Sequence, residues 1–429
     1  MNSPTSSSAL RRSLVAAALS LPAIGSFAAD PLTLDAAIAQ VAATHPDLRL
    51  VSAQSDVLAA QRDLAEQKPA WSADLQVENA FGTREAKGFD EAEFTLTLSS
   101  VLEGGGKLDA RRALAQSRYD ALAIERETRR LDLLAETARR YLAVVGAARY
   151  SEMAQQDIEQ RQQAVTAAQQ RFRAGASPES VVLTAQAALA RAELARDRAD
   201  QEGAAYRQQL AALWGERNPT FTVVKADPLE LPEIESLDAL SAVLDRTPEL
   251  AQFAGEARIA EARLQLARSA AALDLNWQVG ARRLQASDEV AFVGGLSMPL
   301  GSGKRAQPEI RSAEAELAAL SISREAKGMS LYSTLLEAHG RYTLAQADVR
   351  RLQSEVLPKL ASAEQSAGRA FRSGALSYLE WSQLQSEQAQ ARRQQLDTAL
   401  DAQRALIEIQ RLTGQAMVLP SSDATKEHP

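Results

Sequence analysis

Apolar and polar positions along the chain follow two periods, and they do so twice in the same order. Leu75, Val77 and Phe81 alternate with Asp74, Gln76 and Glu78, and Phe94, Leu96 and Leu98 alternate with Thr95, Thr97 and Ser99. A period of two predicts strands with one apolar and one polar face. It returns at Leu275, Trp277 and Val279 against Asp274, Asn276 and Gln278, then at Val290, Phe292, Leu296 and Met298. Strands are expected at about 72–82, 92–102, 272–284 and 289–300. Elsewhere the spacing is three and four. Leu131, Leu134, Ala138, Tyr141 and Val145 form one coiled-coil seam, and Leu331, Leu335, Ala338, Tyr342, Ala345, Val349 and Leu352 form its counterpart. No proline interrupts Lys107 to Phe172, and a helix of some 65 residues is ~95 Å long. Helical hairpins are expected over about 107–215 and 305–414, turning at Gly175 and Gly374, where a residue without Cβ suits a left-handed C-cap. Shorter helices precede the first strands, at Thr33 to Thr44 and Asp47 to Gln67, broken at Pro46. Pro358 should kink or offset its helix.

The repetition is an internal duplication with an offset near 200 residues. His45-Pro46-Asp47-Leu48 returns as Thr247-Pro248-Glu249-Leu250, Gly105-Gly106-Lys107 as Ser302-Gly303-Lys304, and Arg140-Tyr141 as Arg341-Tyr342. Phe172-Arg173-Ala174-Gly175-Ala176 returns as Phe371-Arg372-Ser373-Gly374-Ala375. The expected fold is therefore mainly α with a small β part. Residues 29–217 form a first repeat, a proline-bearing linker spans 218–235, a second repeat spans 236–419, and a polar, disordered tail spans 420–429.

Composition narrows the setting. Among 429 residues, 45% are hydrophobic and only 5% aromatic, with Ala, Leu, Gln, Glu and Arg prevailing, as in extended helices. A net charge of -7 argues against a nucleic-acid partner. The absence of cysteine removes disulfides, thiolate metal sites and Cys nucleophiles. Arg11 and Arg12, an apolar run from Leu14 to Ile24, and Ser26-Phe27-Ala28 predict an export segment over 1–28, cleaved after Ala28. The run is shorter than the ~20 residues of a spanning helix, and no later segment is apolar enough to span as one, so any entry of the mature chain into a bilayer must be made by strands. Four strands cannot close, and an open edge in hydrocarbon leaves backbone groups unsatisfied. Several chains must then share one barrel.

This plan resembles the TolC-like outer membrane efflux factors. Val77-Glu78-Asn79-Ala80-Phe81-Gly82, Gly88-Phe89-Asp90, Thr95-Leu96-Thr97-Leu98-Ser99 and Leu102-Glu103-Gly104-Gly105-Gly106-Lys107 are similar to runs framing the first barrel hairpin in the cobalt–zinc–cadmium (heavy-metal RND) efflux branch. The runs at Gly175 and Gly374, with Gln186 and Gln385 downstream, are similar to the family's tip motifs. One departure is Glu380-Trp381, where relatives carry an acidic residue followed by an aliphatic one; the first half has Val181-Val182 there. The resemblance implies a homotrimer with a 12-stranded barrel in outer-membrane lipid and an α-helical tunnel in the periplasm of a Gram-negative cell. It implies docking to a periplasmic membrane-fusion adaptor and an inner-membrane RND-type pump, with passive export of metal cations. Drug efflux and type I polypeptide secretion keep the same fold, whereas a periplasmic coiled-coil scaffold is a reading of another class. Under the channel reading Leu75, Val77, Phe94, Leu96, Leu275, Trp277, Val279 and Phe292 face lipid. Arg173, Gly175, Arg372 and Gly374 form the tips and adaptor docking points, and Glu380 gives an acidic ring at the pore mouth.

No enzyme chemistry and no cofactor are expected. Gly104-Gly105-Gly106-Lys107 and Gly301-Ser302-Gly303-Lys304 lack the residues a phosphate loop needs before and after its Gly-Lys, and read as strand-to-helix turns. His45, His339 and His428 have no second ligand at metal spacing.

Overall fold

The computed structural model describes residues 31–84, 87–224 and 226–417. The export segment and the polar tail lie outside the described residues. The first repeat runs α1 (Leu34–Thr44), α2 (Pro46–Ala65), β1 (Ser72–Glu78), β2 (Glu93–Leu102), α3 (Lys107–Arg173) and α4 (Glu179–Ala211). The second runs α5 (Leu237–Leu244), α6 (Pro248–Ser269), β3 (Leu275–Leu284), β4 (Glu289–Ser297), α7 (Ser302–Arg351), α8 (Leu357–Ser373) and α9 (Tyr378–Thr413).

Local chemistry sets the boundaries. Thr33 caps α1, its Oγ1 accepting from Ala36 N at 3.0 Å. His45, held extended before Pro46, caps α2 through Nδ1, which accepts from Asp47 N at 3.2 Å. β1 stops at Glu78 rather than 82 because Asn79 and Phe81 take left-handed backbone, φ 54° and 57°. β3 begins at Leu275 rather than 272, and β4 ends at Ser297 rather than 300. A left-handed Gly301 starts α7 at Ser302, before the expected 305. Ahead of Pro358 the helix widens into a π turn, Leu352–Val356, and then continues as α8. The extra residue in that turn relieves the clash of the proline ring with the preceding carbonyls.

The four strands form one antiparallel sheet in the order β1-β2-β3-β4, so β2 and β3 join the two repeats. The helices repeat the same joint: α6 packs against both α3 and α7, and α9 against α3, α7 and α8. Equivalent tyrosines fix equivalent chain segments. Tyr141 donates to Leu32 O before α1, and Tyr342 donates to Pro232 O before α5. Burial pushes both hydroxyls up to about 12, so they remain donors at physiological pH.

The proline-bearing linker is a strap rather than a loose connection. Gln403 donates to Pro228 O and Glu230 O at 3.3 and 3.0 Å, and Gln346 to Leu231 O and Pro232 O at 3.2 and 3.1 Å. Side-chain amides thus bond carbonyls that have no strand to join. Arg411 ties α9 to α3 and α6, reaching Asp132, Glu249 and Glu408 at 3.0, 2.7 and 2.9 Å. Burial alone would lower its pKa, but the bonds from Glu408 and Glu249 outweigh this and raise it.

Candidate functional site: the sheet and the hairpin tips

Strand register decides which side chains share a face. Leu75 stands opposite Leu96, Val77 opposite Phe94, Val279 opposite Leu98, Leu275 opposite Leu102, Trp277 opposite Leu296 and Phe292 opposite Ala281. Because side chains alternate along each strand, the eight apolar residues picked from the sequence lie on one face. Phe292 is 80% exposed and Leu96 59%, and no described helix covers them. The other face carries Asp74, Gln76, Glu78, Glu93, Thr95, Thr97, Asn276, Gln278 and Arg282. Arg282 donates to Glu93 at 2.9 Å and to Thr95 at 3.0 Å, and lies 3.5 Å from Glu78.

Aromatic rings stand at both ends of the apolar face. Trp71 and Trp277 meet edge to face at 5.6 Å on the helix side. Phe81, Phe89 and Phe94 follow one another at 4.6 and 6.1 Å on the loop side. β1, 7 residues long, lies between Trp71 and Phe81 and spans ~23 Å along its length at ~3.3 Å per residue. An apolar band flanked by aromatic girdles is what a membrane barrel presents to lipid. Within the described residues no helix is long and apolar enough to cross a membrane.

The Gly104–Lys107 run docks the first repeat onto the second. Lys107 Nζ sits 2.7 Å from Asp274 and donates to Ala272 O at 3.1 Å, while Gly104 N donates to Asp274 at 3.0 Å. A Cβ at Gly104 would stand 2.2 Å from Leu273 O, and one at Gly105 2.3 Å from Ala272 Cβ. The glycines are there for this close approach, and the lysine for the carboxylate across the joint.

The hairpin tips form a second centre. Gly175 and Gly374 take left-handed backbone, φ 71° and 86°, and each turn is closed by paired backbone bonds. Behind the turns Phe371, Tyr378 and Trp381 pack together, the Phe371 and Trp381 rings stacked at 5.1 Å. Trp381 Nε1 donates to Glu364 at 3.0 Å, and its ring fits because position 368 is glycine, where a Cβ would approach Nε1 to 3.2 Å. Arg171 of α3 reaches across, donating to Phe371 O and, at 3.3 Å, to Ala176 O; its guanidinium lies 4.9 Å from the Phe371 ring centre. The buried Arg161 pairs with Asp157 at 3.1 Å and donates to Gln385 and Ser386 of α9 at 3.3 Å each. The two hairpin ends are thus one packed unit.

Of the tip residues chosen from the sequence, Arg173, Gly175, Arg372 and Gly374 are exposed around the turns. Glu380 has a local partner: with Ser377 it forms a capping box at the start of α9. Its Oε2 accepts from Ser377 N at 3.1 Å and from Ser377 Oγ at 2.7 Å. Those bonds hold its carboxyl below the ordinary range. The first tip has Pro178 at the same point and no side-chain cap. Arg161 and Arg171 were missed, although both occupy seam positions with Ile158, Ala164 and Ala168, where a charged residue signals a buried partner.

Residues 37–216 match the family described as outer membrane efflux protein. Over 387 residues the chain is 26% identical to the cobalt-zinc-cadmium resistance protein CzcC of Cupriavidus metallidurans, covering 90% of this chain and 91% of that protein. Its fold is similar to that of the CusC transmembrane channel, with a TM-score of 0.75, 18% identity, and coverage of 89% of this chain and 92% of that one. The outer membrane protein VceC of Vibrio cholerae gives a TM-score of 0.75 at 17% identity, over 90% of this chain and 97% of that one.

Proposed function

We propose that this chain, whose residues 37–216 match the outer membrane efflux protein family, acts as one of three identical subunits of a passive export conduit for metal cations. The chain is an efflux channel component of the Gram-negative outer membrane that extends into the periplasm. The observation that carries the finer reading is the sheet: one apolar face is bare, aromatic residues stand at both ends, and β1 and β4 are outer strands of an open sheet. An open edge in hydrocarbon is untenable, so further strands must come from other copies. Three copies give twelve strands around one lumen, with the Arg282 side facing water. The same bare face argues against a coiled-coil scaffold that never enters the membrane. We assign residues 29–217 and 236–419 to the two repeats that build this subunit and 218–235 to the strap between them.

Metal cations are favoured as cargo by the resistance protein of C. metallidurans, whose name specifies cobalt, zinc and cadmium. The exposed tips, with Arg173, Gly175, Arg372 and Gly374, would meet a periplasmic adaptor that hands over from an inner-membrane RND-type pump. Expression in a strain lacking the outer component of its own cobalt–zinc–cadmium exporter, with pump and adaptor intact, is expected to restore growth at raised metal concentrations. Restored growth only in a drug-exporter or polypeptide-exporter deletion would reassign the cargo.

Glu380 is proposed to contribute to an acidic ring where three second tips converge. Carboxylate rings favour cations. Glu380→Gln separates this role from capping, because Gln can also complete a capping box. The variant is expected to fold normally and to lose part of its cation preference in planar bilayers; unchanged selectivity would leave Glu380 as a cap residue only. With a lowered carboxyl, the native cap is fully present above the ordinary carboxylate value and is lost as pH falls through the lowered one. The ring charge therefore persists at neutral pH.

A further inference from the structure

The apolar face of the sheet carries one charged side chain. By the register of the four strands, the other residues on that side of β1 to β4 are aliphatic, aromatic or small, and Arg283 alone breaks the series. It stands between Phe94 of β2 and Val290 of β4, at the loop-side end of the face where the rings of Phe81, Phe89 and Phe94 follow one another. Arginine on the lipid face of a barrel is costly at the midplane and close to neutral at the interface. The loop-side end is therefore where such a residue can be held.

The partner of Arg283 within the chain is Asp288, which takes left-handed backbone in the β3–β4 turn, φ 55°. That pair does not account for the arginine. The two side chains are 53% and 80% exposed, and an ion pair so open to solvent contributes little. The bond to Asp288 uses Nη2. A guanidinium has five N–H donors, and among the described residues no other acceptor meets those of Arg283. Asp288 thus aims the fork and leaves most of its donors pointing at whatever lies beside the sheet.

We infer that Arg283, oriented by Asp288, binds a phosphate group of an outer-leaflet lipid at the rim of the sheet. A planar fork of donors matches phosphate oxygens two at a time. Val290 and Phe292, 70% and 80% exposed on the neighbouring strand, offer the acyl chains an apolar wall below the phosphate. A second copy is not the occupant, because copies add at the free edges of β1 and β4 and β3 is an inner strand. A periplasmic partner is not the occupant either, because it approaches the helices at the opposite end of the sheet. This inference rests on the barrel reading above and names the lipid chemistry that its outer rim takes.

Lipid A, a glycolipid with two phosphates, is the probe. Its binding to the purified protein in detergent micelles is counted by native mass spectrometry, beside the same glycolipid stripped of phosphate. The wild-type protein is expected to bind the phosphorylated form at least about tenfold more tightly, the scale of one hydrogen bond between charged groups. Arg283→Gln should lose that preference while binding the stripped form as before. Arg283→Lys, which keeps the charge without the fork, should fall between. Inorganic phosphate at the same concentration should not compete; full competition would make this a free-anion site and overturn the lipid assignment. An undiminished preference in Arg283→Gln would place the phosphate elsewhere, and equal weakening toward both glycolipids would leave Arg283 as a clamp on its turn. Flotation with phosphatidylcholine vesicles separates the two levels of failure. Wild-type protein that does not float removes the barrel reading and this inference with it. Protein that floats but shows no phosphate preference overturns this inference alone.

Discussion

Leu96→Arg is expected to remove most of the chain from the assembled outer-membrane fraction, whereas Thr97→Arg, one residue along, leaves assembly largely intact. The two positions are neighbours near the middle of β2 and differ only in face. Leu96 pairs with Leu75 and Ala281 on the bare apolar side, and Thr97 pairs with Asp74 and Gly280 on the polar side. An arginine on the lipid face of a barrel costs ~2–4 kcal/mol at the bilayer midplane, while substitutions facing a lumen mainly tune selectivity. On the proposed three-copy barrel the penalty is met three times. Heat-modifiability of the extracted protein on gels, read alongside fractionation, checks this. Equal behaviour of the two variants would show that the sheet does not have a lipid side and a water side.

Trp381→Ala should loosen the second hairpin tip by ~3–5 kcal/mol, the usual range for deleting a buried tryptophan. Trp381 is buried between Phe371, Tyr378 and Gly368, and it donates to Glu364, so truncation leaves a cavity and a carboxylate short of one donor. The loss is local, and such an assembly does not unfold in one step. The appropriate readout is hydrogen exchange over residues 364–385, with tryptic cleavage at Arg369 and Arg372. At ~1.4 kcal/mol per factor of ten, exchange there should rise by about a hundredfold or more. Trp381→Phe keeps the stack and loses one hydrogen bond, on the order of 1 kcal/mol, and should fall between. Unaltered protection at the tip in Trp381→Ala would mean that Arg171 and Arg161 hold the hairpins together without the aromatic core.

Much of this molecule is legible in its residues because its elements are long and regular. Alternation over Leu75–Val77 and Phe94–Leu98 already determines which side chains share a face, since a strand has only two. Seven-residue spacing around Tyr141 and Tyr342 determines the buried seams, and Gly175 and Gly374 mark the turns because few other residues tolerate positive φ. Strand ends were less legible. That β1 stops at Glu78 depends on the backbone of Asn79 and Phe81, which alternation does not encode.

Periodicity says which face a residue takes but not what it meets there. It takes the folded chain to bring Lys107 of the first repeat to Asp274 of the second, and to strap the linker down with Gln346 and Gln403. The same holds for Arg171, which reaches across to the opposite hairpin, and for Glu380, which closes a cap with Ser377. These pairings join residues far apart in the chain or choose among competing local partners, and such choices follow from packing in three dimensions. The duplicated plan, the amphipathic sheet and the long hairpins are written in the residues alone, because each follows from a short repeating period. How the two copies of that plan lock together is settled in the fold, because one joint, β2–β3 with α3–α6, sets the geometry of every contact built on it.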